Sequence, residues 1–474
     1  MYCRRLLVQF SFRRVLNVLA FFVAMVVGGL AFQAQAQSPN DGLPIPDSTK
    51  DSLTAIQRTF QLPAPPPLAL FPQMREQMQD TPAFLRDSKV EFNVRSYYRD
   101  NVAASPTKTT VNEAWAGGGA GSVSLETGRL FDIVSGGFTL YNSFPIYAPY
   151  QYGNSQLLLP DQQGYTVVGQ LYGRLRLTDD TYFTAGRSSW TTPYLNPHDN
   201  RMTPNTFYGY VLQSSIGDPD SGKPAVRFGG GYIAAIKPRD AVDFQSMAQA
   251  AGVNRSAGVG SAGALLTWGP GSIGAIDYFC QDTINIAYAE GLYGANLPLG
   301  LRAVLALQYA DERSTGANLL NGGSYWSTGQ VGTRLQLGYQ TTILTVGFSA
   351  VNPGFAMQSP WSSNPIYTDA QIQGFQRAGE QAVVLGLSSA LTPLGMPGVA
   401  ASIYYYNGAT NAPAAGKPLV ETEWDFRLEW RPYWKPLQGL WLSARYGHSE
   451  TDQNNARTTT DEVRVVLNYN VKLY

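Results

Sequence analysis

The chain has 474 residues and 51.6 kDa, with 34 Lys+Arg against 34 Asp+Glu and only 14% charged residues. Charge this sparse and balanced excludes the basic face of a nucleic-acid-binding protein. With 44% apolar residues and a mean hydropathy of −0.17, the chain also lacks the repeated runs of about 20 apolar residues that a helical membrane bundle requires. The 48 Gly, 28 Tyr and 12% aromatics suit strands better than helices.

Residues 1–36 read as a secretory leader. Arg4, Arg5, Arg13 and Arg14 form a basic start, Val18–Phe32 is an uncharged apolar core, and Ala34-Gln35-Ala36 is a small-x-small cleavage site. Its removal takes four arginines and no acid, leaving the exported chain acidic by four charges. A membrane-anchor helix is the other reading of the same run. Cys3 falls in the leader, so Cys280 remains alone. One thiol and two distant histidines, His198 and His448, offer no metal site, and no cofactor is expected.

Residues 37–86 form a Pro-rich arm. Pro63-Ala64-Pro65-Pro66-Pro67 lies in a stretch without strand alternation, which reads as a polyproline spacer on the periplasmic side. Met74–Asp80 has room for a short helical turn before the barrel begins.

From Ser88 onward the pattern is period-2 alternation in segments long enough for a tilted strand to cross a bilayer. The first is Lys89–Arg99, with Val90, Phe92, Val94 and Tyr98 on one face and Lys89, Glu91, Asn93, Arg95 and Arg99 on the other. Further segments fall around 113–127, 129–141, 165–177, 181–188, 207–216, 225–236, 258–268, 271–281, 283–295, 300–311, 327–340, 343–351, 380–392, 399–408, 421–431 and 439–448. Glu462–Leu473 closes the series at about 18 strands. Tight links such as Thr178-Asp179-Asp180, Gly269-Pro270-Gly271 and Thr341-Thr342 alternate with long ones at 142–164, 189–206, 237–257, 312–326 and 352–379. The link at 281–282 breaks that alternation. The fold predicted is all-β, a closed antiparallel transmembrane β-barrel with short periplasmic turns and long extracellular loops. A soluble β-sandwich or β-helix explains neither feature.

A barrel of this size encloses water rather than a packed core. By phase, Arg95, Arg99, Arg174, Arg176, Arg302, Arg334, Arg427, Arg445 and Arg464 point inward. Closure puts Arg427, Arg445, Arg464, Arg95 and Arg99 on one wall, where fixed guanidinium groups attract anions. Glu91, Glu423, Asp425 and Glu429 share those faces, and pairing with them would make the arginines structural instead. The link 189–206, polar and punctuated by proline, suits a loop folded into the pore, with Tyr194, Asp199 and Arg201 as constriction residues.

These residues resemble the OprD family of specific outer-membrane porins. The likeness runs from about Thr81 to Tyr474 and is carried by several segments. Phe84-Leu85-Arg86-Asp87-Ser88 leads into Arg95-Ser96-Tyr97-Tyr98, and Asn196-Pro197 runs through Arg201 to Thr206-Phe207 and Gly209. Gln373-Gly374-Phe375-Gln376-Arg377-Ala378-Gly379-Glu380, Glu423–Glu429 and Asp461–Val465 complete it. The resemblance implies an 18-stranded channel, monomeric or loosely trimeric, inserted in outer-membrane lipid by the barrel assembly machinery. It further implies a basic ladder, matched here by Arg427, Arg445 and Arg464, that conducts small carboxylate-bearing solutes such as amino acids. Ser443 stands where many members carry another Arg, the arm at 37–80 is longer than usual, and the terminal Tyr474 is out of phase with Tyr469 and Leu473. Two other classes are a barrel enzyme acting on lipid and a non-conducting structural or adhesin barrel. His448-Ser449 is the one suggestive catalytic pair, but adjacent residues on a strand face opposite sides, so no enzyme is expected.

Overall fold

The computed structural model describes residues 67–474 apart from 219–222, 363–364, 411–418 and 454–455. The expected leader at 1–36 and most of the Pro-rich arm lie outside the described residues.

Eighteen long strands form the wall. They are β1 (Lys89–Ala104), β2 (Thr109–Glu126), β3 (Val134–Tyr147), β4 (Tyr165–Thr178), β5 (Thr181–Ser188) and β6 (Thr206–Ile216). Next come β7 (Ala225–Lys237), β8 (Val259–Trp268), β9 (Gly271–Cys280), β10 (Ile284–Asn296), β11 (Leu301–Arg313) and β12 (Ser327–Tyr339). The last are β13 (Thr342–Val351), β14 (Glu380–Ala390), β15 (Val399–Thr410), β16 (Leu419–Trp430), β17 (Leu440–Gln453) and β18 (Ala456–Lys472). Each strand pairs antiparallel with the next, and β1 pairs with β18 from Glu91↔Lys472 to Ala104↔Thr459, closing the barrel. Closure leaves no free edge, which a sheet in lipid cannot tolerate because nothing there would satisfy its N–H and C=O groups.

The expected segments all fall on strands, with differences at their ends. β1 continues to Ala104, past the expected end at Arg99. Beyond the hydrocarbon the outer face no longer has to be apolar, so alternation stops before hydrogen bonding does. The segment expected from 129 begins instead at Val134, because residues 127–133 form a turn with an isolated Leu130–Val134 bridge. The link after Cys280 is short, three residues on the side of the long loops, and β9 and β10 pair across it in unbroken register.

The outward face carries an apolar belt, including Leu171 and Leu175, Leu305 and Leu307, and Val383, Leu385 and Leu387, all exposed. In water such a surface would aggregate; against acyl chains it is the required solvent-facing pattern. Among the described residues no helix is long and apolar enough to cross a membrane. The short helix Met74–Gln77 agrees with the expected turn, and Ala83–Arg86 adds a second before β1. Ahead of both, Leu68–Ala69 pairs parallel with Val471 and Lys472, occupying the edge of β18 that β17 does not reach.

The interior is not uniformly wet. The second (148–164), third (189–205), fourth (238–258) and seventh (352–379) long-side connections, here L2, L3, L4 and L7, pack against the wall. Trp190, Tyr194 and Leu195 of L3, Met247 and Ala248 of L4, and Met357 and Trp361 of L7 join Phe207, Ile233, Tyr278, Ile284 and Ile286 in one apolar cluster. Strands β6 to β10 are therefore apolar on both faces near their loop ends. This corrects the expectation of a simple aqueous lumen: loops supply the core that the cylinder lacks.

Candidate functional site

The opposite stretch of wall, β16, β17, β18 and β1, keeps its inward face charged. Register places Arg427 opposite Arg445, Arg445 opposite Arg464, and Arg464 opposite Arg99, so four guanidinium groups stand in one transverse row. Like charges on directly opposed positions are destabilising unless compensated. Compensation here is partial. Glu462, 1% exposed, pairs with both Arg99 and Arg464, lying 2.5 Å from the latter, while Glu429 pairs with Arg427. Arg445 has only the Ser443 hydroxyl, 3.4 Å from its Nε, and among the described residues no carboxylate within ion-pair distance. Ser443, where the resemblance anticipates another arginine, thus supports the one guanidinium of the row without an acid partner.

The other inward arginines are dispersed. Arg95 donates to both Asp199 oxygens at 2.5 and 2.9 Å and to the Arg201 carbonyl at 2.7 Å. Arg174 lies over the Tyr172 ring, 3.9 Å from Glu126, and Arg176 pairs with Asp179 in the turn after β4. Arg302 is exposed near the short-turn end of β11. Arg334, on the far wall, stacks 4.4 Å from the Tyr367 ring of L7. These five do not join the row.

L7 is fastened beside the row by carboxylates of β16. Asp425 accepts the Gln371 amide at 3.0 Å, and Glu423, fully buried, accepts those of Ile372 and Gln373 at 2.7 Å each. Arg377 pairs with Glu421 at 2.6 Å. Acids expected only to neutralise arginines thus also hold a loop. Asp369 of L7 is solvent-accessible yet ringed by wall; that enclosure, with help from Asp425 and against Arg464, pushes its carboxyl up to about 7.

L3 folds inward as expected, but its residues divide. Tyr194 is 1% exposed and packs on Tyr278 and Tyr288 with ring centroids 5.9 and 6.0 Å away. It therefore anchors the loop and presents no surface to the pore, a correction to its expected place at the constriction. The inward tip is His198–Arg201. The Tyr97 hydroxyl donates to the Asn200 carbonyl at 2.9 Å, and Arg95 holds Asp199. Arg201 is 4% exposed and donates from Nε and Nη2 to the Gln156 Oε1 of L2 at 3.1 and 2.8 Å. Burial, with Arg239 and Arg201 nearby, pushes the His198 imidazole down to about 3, so it is neutral at physiological pH. Arg239 of L4 donates to Asn200 and lies 3.3 Å from the His198 ring. Sequence phase could not find Arg239 or Gln156, which sit on loops without alternation. His448 faces outward, 2.9 Å from Asp461, while Ser449 is buried on the inward face, so the two form no catalytic pair.

A family model described as outer membrane porin, OprD family, matches residues 160–473. No curated protein matches the sequence. Among solved structures, the BenF-like porin of Pseudomonas fluorescens Pf-5 is 20% identical with a TM-score of 0.72, covering 82% of this chain and all of that one. OccK9 (OpdG) of Pseudomonas aeruginosa is 20% identical with a TM-score of 0.71, covering 83% of this chain and 100% of its own. OpdK of Pseudomonas aeruginosa, solved with vanillate, is 21% identical with a TM-score of 0.68, covering 82% and 100%.

Proposed function

Since the chain belongs to the OprD family of porins, in the outer membrane of Gram-negative cells, we propose that it conducts small carboxylate-bearing solutes by passive diffusion past the row Arg427, Arg445, Arg464 and Arg99. The single observation that carries this reading is the direct cross-strand register of the four arginines with Arg445 lacking an acid partner. A guanidinium fork matches a carboxylate in two parallel hydrogen bonds. Neighbouring forks let the anion exchange one partner for the next without returning to bulk water. The apolar loop cluster lies against β6 to β10, away from the charged wall, which supports this reading. The vanillate held by OpdK is itself a carboxylate, which agrees with this class.

In the same reading, residues 1–36 direct export and 37–86 form a periplasmic arm. The pairing of Leu68–Ala69 with the end of β18, on the side of the short turns, supports that placement.

The test is planar-bilayer recording of the purified channel under a salt gradient. Replacing Arg427, Arg445 and Arg464 together by Gln lowers anion over cation permeability severalfold. An unchanged reversal potential overturns the reading and makes the row a structural device.

A further inference from the structure

The guanidinium groups of Arg201 and Arg239 come from different loops and meet at one neutral oxygen. Gln156 Oε1 accepts from Arg201 at 3.1 and 2.8 Å and lies 3.4 Å from Arg239 Nη2. Their other acceptors are the Asn200 carbonyl and side-chain oxygen and the neutral His198 ring. Among the described residues neither arginine has a carboxylate within ion-pair distance, in contrast to Arg95, Arg99, Arg377, Arg427 and Arg464. Asp240 tempers the charge of Arg239 from farther away. Arg201 is 4% exposed. Its burial, with Arg464 and Arg99 adding to the field, pushes it down to about 9, the sign of a cation held without its counter-charge.

The backbone agrees. Gln156 and His198 both adopt left-handed φ values, 61° and 44°, which non-glycine residues rarely hold. Such conformations persist where surrounding contacts over-determine them, as at ligand sites. Gln156 also follows Ser155, whose carbonyl accepts from Arg99 at 3.0 Å. Two consecutive L2 residues thus offer oxygens first to the row and then to the loop pair.

We propose that Arg201 and Arg239 form a carboxylate-binding site at the junction of L2, L3 and L4, upstream of the row, in which the Gln156 amide oxygen stands in for the solute's carboxylate and is displaced by it. The site deepens the carboxylate reading and rests on it. A carboxylate carries two oxygens and a full charge where the amide offers one oxygen and none, so it satisfies both forks at once. Displaced Gln156 leaves the Ser155 carbonyl on Arg99 as the neighbouring contact, from which the anion passes to the row.

The experiment uses benzoate as the probe and benzamide as its uncharged counterpart, added on the loop side of the purified channel in planar bilayers. Heat-modifiable gel mobility of each variant checks folding. The decisive variant is Gln156→Glu, nearly isosteric, which supplies a tethered carboxylate to both arginines. Benzoate block weakens by about tenfold or more, the worth of one charge-assisted contact, and benzamide has no effect in either channel. Arg239→Gln weakens block to a similar degree, and Gln156→Ala, which removes the competing oxygen, strengthens it. Benzoate block unchanged in both Gln156→Glu and Arg239→Gln, yet lost in the triple substitution of the row, overturns the loop site and leaves the carboxylate reading intact. No benzoate block in the unaltered channel overturns that reading and the loop site together. Should Gln156→Glu fail to fold, Gln156→Ala and Arg239→Gln decide by their opposite signs.

Discussion

Two stretches of the same wall treat their inward faces in opposite ways. From β6 to β10 the loop ends carry Phe207, Ile233, Tyr278, Ile284 and Ile286, closed over by Trp190, Tyr194, Leu195, Met247 and Trp361. From β16 through β18 to β1 the same inward phase carries Glu421, Glu423, Asp425, Arg427, Arg445, Arg464 and Arg99. The backbone geometry is one continuous cylinder in both. A wide barrel has no core of its own, so three loops build an apolar one on the first stretch, while the second holds L7 through hydrogen bonds and ion pairs. Strand number is the same for both stretches; what differs is the chemistry by which each holds its loops.

The sharpest way to break this contrast is to empty the filled side. Trp361, 1% exposed, donates from Nε1 to the Met247 carbonyl at 2.9 Å and receives Asn205 on its own carbonyl, tying L7 to L4 and L3. Trp361→Ala costs the loop cluster about 3–5 kcal/mol. Larger and noisier unitary currents are the expected readout, with barrel mobility on gels retained. Currents identical to the parent would mean that the loops hold without their core.

A smaller effect is expected at the charged wall. Glu423→Ala removes the acceptor of two L7 amides and weakens docking by about 0.5–1.5 kcal/mol per hydrogen bond lost. L7 then opens intermittently, seen as brief current steps that the parent lacks. Proteolysis limited to 352–379 in the variant would confirm the same release.

The mildest perturbation is pH. Asp369 is raised to about 7, mainly by its enclosure. With its folded value above the ordinary carboxylate range, it is neutral below about 7 and charged above. Its effect on stability is unfavourable, beginning above the unfolded value and complete once pH passes the folded one. Anion preference is therefore greater at pH 6 than at pH 8, and Asp369→Asn reduces the difference. His198, neutral over this window, adds no step; His198→Gln leaves the profile unchanged.

Legibility followed the range of the forces involved. All eighteen strands and the inward phase of Arg427, Arg445, Arg464, Arg95 and Arg99 were readable, because alternation between lipid and lumen is a local, two-residue pattern. L3's inward course was readable from its prolines and polarity, whereas the burial of Tyr194 was not. Aromatic residues suit a constriction and a core equally, and only the Tyr278 and Tyr288 rings decide between them.

The sequence by itself determined an exported outer-membrane β-barrel and the face on which its arginines stand, since every strand meets the same two solvents along its length. The tertiary structure alone decided their partners. Arg99 meets Glu462 across the closing seam, at a sequence separation of 363. Arg201 meets Arg239 at Gln156 through three separate loops. Ion pairing and loop packing depend on positions fixed by closure of the whole cylinder, and no local pattern encodes those.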